Sequence, residues 1–572
     1  MAKREGKAFL MRKHCEMLQG RSGLISKMHS KVQPATFSAR MAETNLRSLP
    51  LGTSSFVLLR RFDQIYVDKT DLIDELCRQR AKIFLARPRR FGKSLLLSTI
   101  ESLFRDGLQH FNGLSIYAKW QEKTCSVLRL DFSLAKDFSS ISEFAKFFEY
   151  MLEDAAGRAH LSVPKKGSDP FERFASLLST LPSSSLVLLI DEYDAPLTAH
   201  LDEPTLFEQV DKTLSRFYAH IEACDEALRF FFMTGVTKLS KSRIFSSIQK
   251  LTDISRNERF GCLLGYTENE IDTYFAAHLD HAEKALGMTR NELKRQLHAH
   301  YSGFCFDENV STSVYCPWSV LNFLEAPECG FRNYWFQSGG DAKLLMAHLR
   351  SHNFGSPAQY NRPAVISRKD LEASQPPEVI SAEVLLIQCG YLTFKRALPA
   401  DFLEAGYPNQ EVALSMADLY TDELLRNVDR IAIGYYDIHS LLSNDNLDRV
   451  IHVFNCLWNA IDAQRHPITD KSVCRTFFVL LLIGAGLPAA LEPHAASGGS
   501  AIKVDAGSRH WTLALQFART HQEVERLLRE GADELRSRRC GNALQGKAIR
   551  EVRKAVLVFE EKARQFSAWE VL

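Results

Sequence analysis

Around residue 82 the chain changes its hydrophobic period. Lys82-Ile-Phe-Leu-Ala86 is a short apolar run, Arg87–Lys93 is a basic turn, and Ser94–Phe104 carries apolar residues at helical spacing. The pattern predicts strand, loop and helix. Further apolar runs at Ser126–Phe132, Leu186–Ile190 and Arg229–Met233 alternate with helical stretches at Ile141–Ala155, Phe171–Leu181 and Thr205–Cys224. Strands that are apolar throughout and separated by helices predict an α/β architecture, a mainly parallel sheet covered by helices on both faces. Order is expected from about Pro50, with a short helix from Asp71, capped by Thr70 or Asp71, whose apolar face is Leu72, Ile73 and Leu76. After about residue 265 the pattern turns helical, as at Glu268–Leu286 and Arg290–His300. A mixed α/β stretch follows at about 355–415, then helices to about 490, a short β-like segment and a terminal helical pair. No internal repeat or low-complexity tract is visible.

Composition narrows the class without naming a chemistry. The 572 residues include 71 Lys+Arg and 69 Asp+Glu, with 45% hydrophobic and 24% charged residues. That is the make-up of a globular protein of about three or four domains. The net charge of +2 hides an asymmetry, because residues 1–50 hold ten Lys/Arg and three acids, a net +7, leaving the remaining 522 residues near −5. The leader has no apolar core of signal-peptide length and reads as a disordered extension, with a transit peptide as the weaker alternative and Met41 as a second candidate start. The longest apolar stretch, Phe477–Leu491, has 15 residues and is interrupted by Gly484, Gly486 and Pro488. It is too short for a bilayer span of roughly 20 residues and reads as a buried helix. The twelve cysteines form no CxxC, which argues against zinc ribbons and dithiol motifs and for reduced thiols in a cytoplasmic protein.

Candidate chemistry sits in the basic turn. Arg87-Pro88-Arg89-Arg90-Phe91-Gly92-Lys93-Ser94 follows a buried strand and opens a helix, where backbone N–H groups and the positive end of the helix dipole can cradle phosphates. Gly92, Lys93 and Ser94 complete the GxxxxGK[ST] pattern, while Arg87 replaces its first glycine. A second signal, Leu186-Val-Leu-Leu-Ile-Asp191-Glu192, ends an apolar strand in two acids, 98 residues after Lys93. Asp191 would hold Mg²⁺ through water or the Ser94 hydroxyl, and Glu192 would orient or deprotonate the attacking water. A strand between the two motifs matches the P-loop subclass that inserts one strand between the Walker A and Walker B strands. Arg229–Met233 becomes the sensor strand, placing Thr234 or Thr237 near a γ-phosphate. Arg89 and Arg90 could reach phosphate, Arg243 or Arg256 could serve as an arginine sensor or finger, and Asp194 could support the water. For each of these a surface ion pair is the competing reading.

These residues resemble the predicted AAA-ATPase-like proteins that carry a PD-(D/E)XK nuclease-like domain at the C-terminus. The matching text is Tyr66-Val-Asp-Lys-Thr70, Arg87–Ser94, Ile190-Asp-Glu-Tyr-Asp-Ala-Pro196, Thr234-Gly-Val-Thr-Lys238, Tyr301-Ser-Gly-Phe304, Pro317-Trp-Ser-Val-Leu321, Tyr334-Trp335, Gly390-Tyr-Leu-Thr393 and Gly406-Tyr-Pro-Asn409. That family also lacks the first P-loop glycine, and the resemblance implies ATP rather than GTP. The similarity covers about residues 48–540. With the basic leader set apart as 1–47, the chain divides into a P-loop domain over 48–265, a helical and mixed connecting region over 266–440 and a small α/β nuclease-like domain over 441–560.

In such nuclease-like domains an Asp on one strand and an E-x-K on the next hold a divalent metal. Ser500–Val504 and Trp511–Ala518 are the corresponding strands here, with Ala501 at the Asp position, Gln516 at the Glu position and Ala518 at the Lys position. Glu534 and Cys540 replace the Gln and Tyr of the next helix. Asp505 or Glu492 would serve only in another register. The expectation is a Mg-dependent ATPase, with Glu192, Lys93 and Thr234 in catalytic roles, coupled to an inactive nuclease-like domain. A nucleotide-sensing scaffold or nucleic-acid-binding protein with little turnover is the alternative, and an ATP-regulated nuclease the third reading. Nucleic acid could meet the leader or the Arg536, Arg538, Arg539 cluster, a protein partner or homo-oligomer stays open, and no membrane association is expected.

Overall fold

In the computed structural model the predicted period changes become a five-stranded parallel sheet. Its strands are β1 (Lys82–Ala86), β2 (Ser126–Asp131), β3 (Leu186–Asp191), β4 (Leu228–Gly235) and β5 (Leu251–Asp253), in the spatial order β2-β3-β4-β1-β5. The structure describes residues 46–79, 81–163, 170–201, 203–238, 243–335, 357, 360–372, 381–487, 489–491, 501–537 and 551–572. Within the sheet, side chains alternate between two apolar layers: Ile83, Leu85, Val187, Leu189, Phe230 and Phe232 face one way, and Phe84, Leu188, Ile190, Phe231 and Met233 the other. Burial on both faces is why these strands read as uninterrupted apolar runs. Helix α1 (Lys93–Asp106) covers the first face, and Ile141–Arg158, Pro170–Ser179 and Pro204–Ala223 cover the second. This is the P-loop-like α/β arrangement, with β4 lying between the strands that carry the two sequence signals.

The helix after Tyr66-Val-Asp spans Thr70–Arg78, and its start is not capped by Thr70 or Asp71 as expected. Asp68 does that work, accepting from Thr70 N at 2.9 Å and Thr70 Oγ1 at 2.6 Å, and tying in Ser115 N at 2.8 Å. Those donors outweigh burial and hold its carboxyl below the usual aspartate value. Beyond β5, helices Glu268–Tyr274, Ala276–Leu286, Arg290–Tyr301 and Pro317–Glu325 share an apolar cluster with Leu49, Ile65 and Val67. The mixed stretch supplies the two-stranded β6 (Phe304–Cys305) and β7 (Ser313–Val314), then a three-stranded antiparallel sheet of β8 (Ala364–Ser367), β10 (Phe402–Gly406) and β9 (Thr393–Leu398).

Helix α2 (Gln410–Leu424) leads on to the C-terminal part, where α3 (Lys471–Gly484) is the buried helix expected from the longest apolar stretch. Thr421 Oγ1 donates to Leu480 O at 2.7 Å across these two helices. Among the described residues no helix is long and apolar enough to cross a membrane. The last sheet runs β11 (Ala489–Leu491), β12 (Ile502–Ala506), β13 (Arg509–Ala518), β14 (Glu551–Glu560) and β15 (Gln565–Val571). β13 and β14 are parallel, joined through helix α4 (Val524–Ser537), and the other pairs are antiparallel. The expected terminal helical pair is therefore one helix and two strands. Val556 and Val558 pack under α4 while Leu557 and Phe559 enter the main core, a period of two that a helix would break. The sheet also continues past residue 560, to Val571.

Leu49–Leu572 form one compact unit. A single apolar cluster extends from Phe56 and α1, through the connecting region, to Trp511 and Phe566 of the C-terminal sheet. The leader up to residue 45, together with Glu492, Ser500, Arg538, Arg539 and Cys540, lies outside the described residues.

Candidate functional site

The basic turn closes through two residues in left-handed backbone. Arg90 has φ +71° and Gly92 φ +96°, and Gly92 is the residue before the first turn of α1, so the loop ends with backbone N–H groups pointing outward along the helix axis. Lys93 is buried and its Nζ donates to the loop's own carbonyls, Arg87 O at 2.9 Å and Pro88 O at 3.0 Å. A cavity of about 480 Å³ opens over the turn. Residues 89–96, Thr99 and Glu192 line it, together with Tyr66, Lys69, Leu264, Tyr266 and Trp318 among others. The size is that of a small-ligand site.

Arg87 and Pro88 stand behind this cavity. The Arg87 guanidinium is 1% exposed and donates to Ala86 O at 2.9 Å, Ser255 O at 2.5 Å and Phe260 O at 3.3 Å, lying 4.3 Å over the Phe306 ring. Burial brings its pKa down to about 10. Its side chain is thus a strut between the turn and the segment after β5. The Pro88 ring abuts Gly390, where a Cβ would sit 2.6 Å from Pro88 Cγ. Phe91 is enclosed edge-on by Phe304 at 4.9 Å, Phe306 at 5.1 Å and Trp335 at 6.3 Å. Arg90 lies 4.2 Å over Trp318. The motifs around residues 301–306, 334–335 and 390–393 therefore converge on the back of the turn.

Asp191 is 1% exposed at the end of β3. Its Oδ1 accepts from Thr234 Oγ1 at 3.0 Å, across the β3–β4 pair. Its Oδ2 faces Arg129 Nη2 at 3.3 Å, and the same nitrogen is 3.5 Å from Ser94 O. One guanidinium nitrogen therefore spans the two residues expected to hold a metal, so they are neighbours. A serine hydroxyl and a carboxylate are hard oxygen donors, a set that fits Mg²⁺ held partly through water. Glu192 has φ +47°, a sharp turn that sends its carboxylate to the cavity, where Lys136 Nζ lies 3.0 Å away. Burial pushes the Glu192 carboxyl up, but Lys136, with Lys93 and Arg89 behind it, outweighs burial and holds it below the usual glutamate value.

Several candidates have protein partners in this structure. Asp194 is 3% exposed and accepts from Val236 N, Thr237 N and Thr237 Oγ1, the last two at 2.8 Å. Tyr193 OH donates to Thr237 O at 2.8 Å. A Cβ on Gly235 would come within 2.6 Å of Tyr193, so this glycine lets the two motifs interlock. Thr237 is thus bonded to Asp194, and Thr234 to Asp191. Arg243 pairs with Glu208 at 3.4 Å and Arg256 with Glu308 at 2.5 Å, and neither lines the cavity. Sequence reasoning missed Arg129 and Lys136. The first had a signal, a lone basic residue inside an otherwise apolar strand; the second had none.

At the C-terminus, Ala501 and Ala518 are buried. Gln516 Oε1 accepts from Lys471 Nζ at 2.8 Å. Asp505 is half exposed and contacts His510 Nδ1 at 2.8 Å on the hairpin partner strand.

Fold and turn together define a P-loop-type α/β protein, and comparison with known sequences agrees. Residues 50–245 match a family model described as AAA-ATPase-like, predicted AAA-ATPase. The chain is 31% identical over 412 residues to an uncharacterized protein in the vnfD 5′ region of Azotobacter chroococcum mcd 1, an alignment covering 70% of this chain and 75% of that protein. The chain belongs to this AAA-ATPase-like family.

Proposed function

We propose that the chain binds Mg·ATP on the Arg87–Ser94 turn and hydrolyses it. The observation that carries this reading is that Glu192, at the end of β3, lines one cavity with the turn at the head of α1, while Arg129 ties its neighbour Asp191 to Ser94 O. Backbone N–H groups from Arg89 to Ser94 would surround the phosphates, and the Lys93 amine would exchange the carbonyls of Arg87 and Pro88 for β/γ-phosphate oxygens. Ser94 and Asp191 would hold the metal, which neutralises charge on those phosphates when bound. Glu192, kept ionised by Lys136, is suited to orient a water and take its proton. Thr234 acts by fixing Asp191 rather than by touching a phosphate. Ligand titration and steady-state turnover test the assignment. Lys93→Met should abolish measurable binding, and Glu192→Gln should bind ATP while turning over roughly 10²–10⁴-fold more slowly. Equal turnover in Glu192→Gln would remove Glu192 from its role.

A second reading, a nucleotide sensor with little turnover, draws support from the ion pairs that occupy both acids, Lys136 on Glu192 and Arg129 on Asp191. For the C-terminal sheet we propose a nuclease-like fold without its metal-binding residues. The β12–β13 register supports it, since it pairs Ile502 with Leu513 and so turns Ala501, Gln516 and Ala518 to one face. Incubating the protein with DNA and RNA in Mg²⁺ and Mn²⁺ should give no cleavage, and cleavage lost on changing Asp505 would overturn the reading.

A further inference from the structure

Arg129 is the one basic side chain in β2, and its neighbours Leu128 and Leu130 face the opposite apolar layer. It points toward α1 and is 20% exposed. Its guanidinium is shared among three acceptors: Glu101 Oε2 at 3.3 Å, Asp191 Oδ2 at 3.3 Å and Ser94 O at 3.5 Å. Each distance is longer than the 2.7–2.9 Å or so of a tight charge-assisted hydrogen bond. Glu101 is also held by Arg105 at 2.8 Å, so it stays in place as an acceptor if Arg129 moves. The Ser94 contact is to its main-chain carbonyl; what sets this cation against a metal is its hold on Asp191 Oδ2, the carboxylate proposed to hold Mg²⁺.

We propose that Arg129 is the resident counterion of Asp191, competing with the divalent metal, and that metal entry shifts the guanidinium onto Glu101. This rests on the Mg·ATP reading of the site. It makes the metal requirement of this chain higher than its two hard-oxygen ligands alone would set. It also lets the apo site keep a buried carboxylate without an unpaired charge.

The test measures Mn²⁺ binding by electron paramagnetic resonance, and the affinity for a fluorescent ATP analogue across a Mg²⁺ titration, in the full chain. With no guanidinium left to displace from Asp191, Arg129→Met should lower the half-saturating metal concentration about tenfold. Arg129→Lys, which loses the planar fork that bridges Glu101 and Asp191, should move it the same way by less, and gives the answer if Arg129→Met does not fold. An unchanged or higher metal requirement in the folded variants would overturn the proposal, because it would make Arg129 a prop for Asp191. If the parent chain binds no nucleotide with or without metal, the Mg·ATP reading itself fails. A parent that binds, with variants that do not shift, sinks only the role of Arg129.

Discussion

Gly390 lies far from the basic turn in sequence, yet its substitution should weaken whatever binds there. It has φ +82°, and an added Cβ would lie 2.6 Å from Pro88 Cγ, 2.7 Å from Pro88 Cβ and 3.1 Å from the Trp335 ring. Gly390→Ala meets two penalties. The left-handed backbone costs about 1–2 kcal/mol for a residue with a Cβ, and overpacking a filled contact costs about 1–3 kcal/mol, giving roughly 2–5 kcal/mol together. Gly287 separates the two, because it has φ +63° at a helix end with nothing within 4 Å of the place a Cβ would take. Gly287→Ala should therefore show only the backbone penalty. Thermal denaturation should place Gly390→Ala well below Gly287→Ala. If the clash is relieved by moving Pro88, and the displaced turn absorbs ~1.4 kcal/mol of it, ATP affinity falls about tenfold. Gly287→Ala should leave that affinity unchanged. Equal stability and equal ATP affinity in the two variants would refute the argument that residues 390–393 press on the turn.

Lys136→Met removes the charge that opposes burial at Glu192. The acid limb of the turnover profile should then move to higher pH, and a limb that stays in place would separate Lys136 from the base. Glu411 accepts from Ser319 Oγ, Tyr334 N and Trp335 N, but burial is larger and raises its pKa to about 7. A raised carboxyl stays protonated in the fold while the unfolded chain has released its proton, so stability present below about pH 4.5 is lost as pH rises to about 7. The loss is on the order of 3 kcal/mol, and Glu411→Gln should flatten the pH dependence of chemical denaturation across that window. Thr234→Val keeps shape but withdraws a donor from buried Asp191. It should cost about 1.5–3 kcal/mol of stability and raise the Mg²⁺ requirement for ATP binding, opposite in sign to Arg129→Met; no change in either would show the Thr234 bond to be idle.

Four strands of the parallel sheet were legible because both of their faces are buried, which makes each a nearly continuous apolar run. β5 was not: Leu251-Thr-Asp253 has no apolar run, and it joins the sheet through backbone pairing to β1. β14 was misread because its partner is β13, across a helix, and nonlocal pairing leaves no local mark. Gly92, Lys93, Ser94, Asp191 and Glu192 could be placed from spacing, since their geometry follows from strand–turn–helix order. The part played by Arg87 could not. Its partners are backbone carbonyls, one of them 168 positions away in the chain, and a carbonyl carries no residue identity. Lys136 reaches Glu192 from the turn after β2, a position no spacing rule specifies.

The strut made by Arg87 decides where this chain could be cut. Residues 50–245, the stretch matched by the family model, stop short of β5, of the Ser255 and Phe260 carbonyls and of the aromatic box around Phe91. A fragment ending there would leave a buried guanidinium with two acceptors gone and open an apolar wall behind the turn. Such a fragment should come out of an expression host insoluble, whereas one starting at Leu49 and running to Leu572 retains every brace.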